Sequence, residues 1–172
     1  MKRHTVIQGD CFVTDDPDML LTTVLGSCVA ACVFDPQSGV GGMNHFLLSE
    51  QERDKDNGRD RLYGSYLMEL LLNGLYKRGA RKENLKVKLF GGAKMFDSRF
   101  DPGKRNSEFI TKFMQDERLE VIASSLGGSC GRRIEFQPAN GHTRQKMMIE
   151  AVEETKVVPD LKDNNHGELE LF

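Results

Sequence analysis

A thiol and an imidazole are the side chains of this chain best equipped for chemistry: Cys28 and His45. Cys28 closes the run Leu21-Thr22-Thr23-Val24-Leu25-Gly26-Ser27-Cys28, and His45 stands in Val40-Gly41-Gly42-Met43-Asn44-His45-Phe46. A free thiol of pKa about 8.5 is only a few per cent ionised at neutral pH, whereas an imidazolium beside it lowers that value and supplies a nucleophile. Gly26 lets backbone approach a substrate, and amides around Ser27 and Cys28 would donate to an oxyanion if they point the same way. Thr22 or Thr23 could orient the imidazole as the third member of a triad. A cysteine in an apolar run is often an inert core residue, and a histidine beside Phe46 is often a satisfied structural one. Spacing alone leaves both readings open.

Whether the two groups meet depends on the elements that carry them. Val29 to Phe34 is short, apolar and bounded by Asp35-Pro36 and Gly39, which predicts a buried strand with Val40 to Leu48 as its antiparallel partner. Pairing Phe34 with Gly39 sets Cys28 opposite His45, and pairing Asp35 with Val40 makes them diagonal neighbours on one face. Pairing Phe34 with Val40 sends them to opposite faces.

Metal binding is the rival chemistry. Cys28 and Cys32 on one strand would lie about 13 Å apart, too far to share a zinc or a disulfide. Cys11, Cys130, His4, His142 and His166 carry no ligand pattern, and the Gly-Gly pairs at Gly41, Gly91 and Gly127 lack the Lys and Ser/Thr of a phosphate loop. No metal or organic cofactor is expected.

Elsewhere, Thr5 to Val13 reads as an edge strand, Ser49 to Asp60 as an exposed charged loop, and Asp60 to Lys77 as an amphipathic helix. Asp60 is the expected cap of that helix, Gly79 its left-handed terminus, and Tyr63, Tyr66, Leu67, Leu70, Leu71 and Leu75 its apolar stripe. Leu85 to Phe90 alternates as a strand. Asp97 to Arg105 reads as a loop, with Asn106 capping a second helix through Glu117. Leu119 to Leu126 reads as a strand, and Arg132 to Phe136 with His142 to Met148 as a hairpin. These elements predict an α/β protein: a single-domain layered sandwich of mainly antiparallel or mixed β-sheet covered by two amphipathic helices. Residues 1–155 form the expected domain, and 156–172 an acidic tail that is either disordered or a docking strand.

The chain has 172 residues, 38% hydrophobic and 29% charged, with a formal net charge of -2. That balance fits one soluble domain and argues against nucleic-acid binding, which needs a marked Lys/Arg excess. No apolar run approaches the roughly 20 residues of a membrane span, so a cytoplasmic protein with reduced thiols and no membrane insertion is expected.

Four ordered motifs carry a further signal: Thr22-Thr23-Val24-Leu25-Gly26-Ser27-Cys28-Val29, Gly41-Gly42-Met43-Asn44-His45-Phe46, Phe90-Gly91-Gly92-Ala93-Lys94-Met95 and Gly103-Lys104-Arg105-Asn106. Together they resemble the CheD family of chemoreceptor glutamine deamidases, over roughly Leu21 to Met148. Pro102 departs from the pattern, standing where an apolar Ile is expected. The resemblance implies an enzyme that converts glutamine side chains of methyl-accepting chemotaxis receptors to glutamate and releases ammonia. It carries the nucleophile onto Cys28, the base onto His45 and the imidazole-orienting threonine onto Thr22. It also implies a layered α/β fold, and a CheC-type phosphatase as a partner of some members. The contrasting functions are a non-catalytic adaptor on the same fold, and an amidase acting on free glutamine.

Overall fold

The computed structural model describes residues 1–48, 59–149 and 169–172. The charged loop expected over Ser49 to Asp60 falls almost wholly outside the described residues, as does the tail up to residue 168. Among the described residues the chain runs β1 (Lys2–Thr5), β2 (Cys11–Thr14), β3 (Met19–Leu25), β4 (Val29–Asp35), β5 (Val40–Phe46), α1 (Arg59–Lys77) and β6 (Lys86–Gly91). It continues through α2 (Pro102–Asp116), β7 (Glu120–Leu126), β8 (Gly131–Phe136), β9 (Thr143–Met148) and β10 (Leu169–Leu171).

Two five-stranded sheets result, one ordered β1-β3-β8-β9-β10 and the other β2-β5-β4-β6-β7. Each is antiparallel except for one parallel pair, β1 with β3 and β6 with β7. The expected layered α/β sandwich is thus built from two mixed sheets, with both helices on the outer face of the second.

The β4–β5 hairpin belongs to both layers of the core. Val29, Ala31, Val33 and Phe46 face the helices and pack with Leu67, Met68, Leu71, Leu75 and Ile110. Ala30, Cys32, Phe34 and Met43 face the other sheet and pack with Leu21, Leu25, Ile134 and Phe136. A strand buried on both faces reads as an unbroken apolar run, which is why β4 lacks alternation.

Four expectations are corrected. The edge strand over Thr5 to Val13 is two strands in different sheets, because residues 6–10, which include Gly9 at φ +89°, cross from one sheet to the other. Helix α1 begins at Arg59 rather than at a cap on Asp60, and its buried stripe is Leu67, Met68, Leu71, Leu72 and Leu75, leaving Tyr63, Tyr66 and Leu70 exposed. Gly79, two residues past the end of α1, does take the left-handed conformation at φ +96°. Helix α2 starts at Pro102, capped by Asp101, whose side chain accepts from the Lys104 amide. Proline suits the first helical position because its missing N–H would be unpaired there anyway. Asn106, expected as the cap, therefore lies inside the helix and is fully buried.

Candidate active site

The hairpin register is Asp35↔Val40 through Val29↔Phe46. Continued by one residue, it makes Cys28 a diagonal neighbour of His45 on the same face, and such neighbours lie roughly 7–8 Å apart between α-carbons. That face looks toward the other sheet. Cys28 is 1% exposed and His45 6%.

The segment that crosses between the sheets fastens His45. The Gly9 amide donates to the His45 carbonyl at 2.8 Å, and the His45 amide donates to the Asp10 carbonyl at 3.1 Å. On the ring, Nδ1 lies 2.9 Å from the Thr23 hydroxyl and 3.3 Å from the Val6 carbonyl. The Thr23 hydroxyl donates its one proton to that same carbonyl at 2.7 Å. It must then accept from the ring, which assigns the proton to Nδ1 and leaves Nε2 as the basic nitrogen.

Strand alternation explains which threonine does this. Leu21 and Leu25 of β3 face the other sheet, so Thr23, between them at period two, faces it as well. Thr22 points to the opposite face, where its hydroxyl lies 3.2 Å from that of Thr5. The resemblance carried the orienting role to Thr22; the hydroxyl against the imidazole is its neighbour's.

Cys28 lies in the short β3–β4 connection, whose three carbonyls are all held from outside. The Ala93 amide donates to the Gly26 carbonyl at 2.9 Å, the Asn106 side-chain amide to that of Ser27 at 2.9 Å, and the Gly92 amide to that of Cys28 at 2.8 Å. Asn106 Oδ1 also accepts from the Leu48 amide at 3.0 Å, so one buried side chain ties the Cys28 connection to the chain just past His45. Gly91 and Gly92, at φ +114° and +66°, make this approach feasible. A β-carbon on Gly91 would stand 2.0 Å from the Cys28 carbonyl oxygen, and one on Gly92 equally close to the Ser107 hydroxyl. The motifs at residues 90–95 and 103–106 are therefore structural supports of the Cys28 connection.

Two groups, Gln8 and Tyr63, edge the thiol. Sγ donates to Gln8 Oε1 at 3.8 Å, a weak contact. The Tyr63 phenol is pushed above its ordinary value by burial and then by the nearness of Cys28 and Asp10. Beside Ser27, which is 4% exposed, a cleft of about 190 Å³ is lined by Lys94, Met95, Phe96, Phe100 and Pro102. Chemically, the arrangement offers a thiol, a base of defined tautomer and a largely apolar cleft whose lining includes both Lys94 and Asp101.

Two other cysteines are held in the thiol form by burial. Burial pushes the Cys11 thiol up to about 11, with Asp10 adding to it, and complete burial raises Cys32 further still. None of the four cysteines is joined in a disulfide among the described residues, and no cluster of potential metal ligands occurs among them. Sequence reasoning missed Val6, Gln8 and Tyr63 as neighbours of the pair, because they reach it from separate elements. Asn106 was singled out within a motif but read as a cap.

Residues 47–147 match the family described as CheD chemotactic sensory transduction, a stretch that begins just past His45. A probable chemoreceptor glutamine deamidase CheD of Caulobacter vibrioides is 52% identical over 143 residues, covering 83% of this chain and 76% of its own. One of the same description from a Caulobacter species is 47% identical over 171 residues, 97% of this chain and 91% of its own. Another from Agrobacterium fabrum is 51% identical over 144 residues, 84% and 79% respectively.

Proposed function

The chain belongs to the CheD family, and on that premise we propose that it is a protein-glutamine deamidase acting on chemoreceptors. The observation that carries this reading is the His45 network: Thr23 and Val6 hold the Nδ1 proton, on the hairpin face shared with Cys28. Relatives described as chemoreceptor glutamine deamidases supply the substrate class.

In the proposed cycle His45 Nε2 takes the Cys28 proton, and the thiolate attacks the side-chain carbonyl of a receptor glutamine. Collapse of the tetrahedral adduct breaks the C–N bond, and the imidazolium returns its proton to the departing ammonia. Water, deprotonated by His45, then hydrolyses the thioester to glutamate and free Cys28. Each step is a proton transfer or acyl transfer and requires no cofactor. Gly26, Ser27 and the Cys28 amide belong to the proposed oxyanion support, consistent with the clamping of all three carbonyls of this connection.

The proposal includes methyl-accepting receptors as the protein substrate and therefore the cytoplasm as the compartment. No helix among the described residues is long and apolar enough to cross a membrane. The proposal extends to a CheC-type phosphatase as a second partner, which co-elution of the two purified proteins would test; separate elution removes that part. The exposed apolar side chains Ile7, Tyr63, Tyr66 and Phe96 give a protein partner surface to cover.

The deciding experiment is incubation with a receptor fragment, followed by ammonia assay and peptide mass analysis. Conversion of specific glutamines to glutamate is expected. No conversion of any receptor glutamine by the intact protein removes the enzymatic reading in favour of the adaptor, and consumption of free glutamine at a comparable rate would redirect it to a small-molecule amidase.

A further inference from the structure

Lys88 is a buried cation that the deamidation chemistry does not use. It is 6% exposed, and desolvation lowers its ammonium below the ordinary lysine value. A buried ammonium is costly unless acceptors surround it. Lys88 Nζ donates to two main-chain carbonyl oxygens, those of Gly141 at 2.8 Å and Phe172 at 2.6 Å. Gly141 belongs to the β8–β9 turn of the facing sheet. Phe172 follows β10, whose residues Leu169, Glu170 and Leu171 pair antiparallel with Lys146, Gln145 and Arg144 of β9.

Four further contacts seat this segment. The Phe172 amide donates to the Thr143 carbonyl at 3.1 Å, and Gln145 Nε2 donates to Glu170 Oε2 at 2.9 Å. The Phe172 ring meets Phe90 edge to face, with centroids 5.4 Å apart, and packs against the inter-sheet core. One short segment thus extends one sheet by a strand and is anchored by its last residue to β6 of the other.

The position of that anchor matters. Lys88 and Phe90 share one face of β6, and β6 ends at Gly91, after which the Gly92 and Ala93 amides hold the Cys28 and Gly26 carbonyls. We propose that the β9 edge and the inter-sheet mouth at Lys88 and Phe90 form a binding site for an extended peptide with an aromatic anchor. Residues 169–172 of this chain occupy it, and their occupancy holds the end of β6 where it clamps the nucleophile connection. The segment is a latch in the sense that β-strand addition supplies main-chain affinity and one pocket supplies the anchor.

The clamp exists in the structure whether or not the chain deamidates receptors; only the effect on turnover rests on the proposed function. The test therefore reads amide hydrogen exchange in the full-length protein first and activity second. Phe172→Ala should raise exchange at Gln145, whose amide lies on the β10 side of β9, by about tenfold or more, and at Gly92 and Ala93 by about threefold or more. Exchange at Ala31 and Val33, in the middle of β4, should stay unchanged. Lys88→Met keeps the side-chain length and removes the charge; it should give the same pattern, and the double variant should add little to either single change.

With receptor fragment, kcat should fall by a factor of about three to ten while KM holds, as expected for mispositioning rather than lost binding. Unchanged exchange at β9 would overturn the docking site. Raised exchange at β9 with unchanged Gly92 and Ala93 would overturn the coupling, and a uniform rise through β4 would reduce the segment to general stabilisation and overturn it too. A wild-type protein inactive on receptors would overturn the proposed function while leaving the exchange result standing.

Discussion

The two faces of the β4–β5 hairpin do different work. Toward the helices the layer is apolar, and its buried polar residues on the hairpin are satisfied nearby, Asn44 by the Ala31 amide, the Leu67 carbonyl and the Met68 sulfur, and Asp35 by the amides of Gln37, Ser38 and Arg81. Toward the other sheet the middle is apolar as well, but polar side chains bridge the sheets around it. Thr23 reaches His45, Lys88 reaches Gly141, and Arg132 of β8 reaches the Ser125 hydroxyl and the Ser125 and Gly127 carbonyls. Sheets packed face to face are about 10 Å apart and end where their strands end. Titratable groups there can be desolvated and oriented yet stay near a surface that a substrate reaches. A group in the middle of the helix layer has no such access, so stability and chemistry are separable by face.

The largest break of that comparison is a pair of substitutions, one on each face. Cys28→Ala should reduce ammonia release by about 10⁴-fold or more while the melting temperature stays within a few degrees. Leu71→Ala on the helix side should cost about 2–5 kcal/mol in denaturant unfolding yet leave kcat intact wherever the protein is folded. Loss of turnover by folded Leu71→Ala protein would show that the faces are not separable.

Next in size is His45→Gln, expected to lower kcat by about 10²–10⁴-fold. It should also raise by about two units or more the pH at which Cys28 is alkylated by iodoacetamide. Near neutral pH the wild-type protein should label Cys28 well ahead of Cys11, held up to about 11, and Cys32, raised further by complete burial. Equal rates at Cys28 and Cys11 would contradict an activated thiol.

The third test distinguishes the two faces of β3. Thr23→Val should lower kcat by about 10- to 100-fold with KM little changed, because Nδ1 loses the acceptor that fixes its tautomer, while Thr22→Val should change kcat less than about threefold. The reverse order would restore the assignment carried by family resemblance.

The smallest effect lies at the far end of the hairpin. Burial works to raise the Asp35 carboxyl, but the amides of Arg81, Gln37 and Ser38 and the Asn84 side chain outweigh it and hold the group below its ordinary value. A depressed carboxyl contributes stability that is present above its unfolded pKa, about 3.9, and is lost as pH falls through the folded value. Urea unfolding of the wild type should show that loss on acidification, with a shallower acid slope in Asp35→Asn. An unchanged slope would mean that Asp35 does not carry the acid dependence.

Much of this architecture was legible before any coordinates. The run from Val29 to Phe34, the turn at Asp35-Pro36 and the partner from Val40 specify a hairpin by local rules, and two of its three registers bring Cys28 and His45 to one face. The observed Asp35↔Val40 pairing is one of those two. Leu85 to Phe90 and the 132–148 hairpin were equally plain, since alternation and turn residues are local signals. Thr5 to Val13 was misread because a chain crossing between sheets has the same composition as a continuous edge strand.

By itself, then, the sequence determined the strands and helices, the hairpin that pairs a thiol with an imidazole, and the family. Only the tertiary structure decided that Thr23 rather than Thr22 meets the ring, that Asn106 is a buried tie and not a cap, and that Lys88 receives Phe172. Side-chain period is a property of one strand, whereas which of its two faces is turned inward depends on the partner it packs against. Hydrogen bonds spanning 79 residues, from Asn106 to Ser27, or 84, from Lys88 to Phe172, leave no local pattern to read.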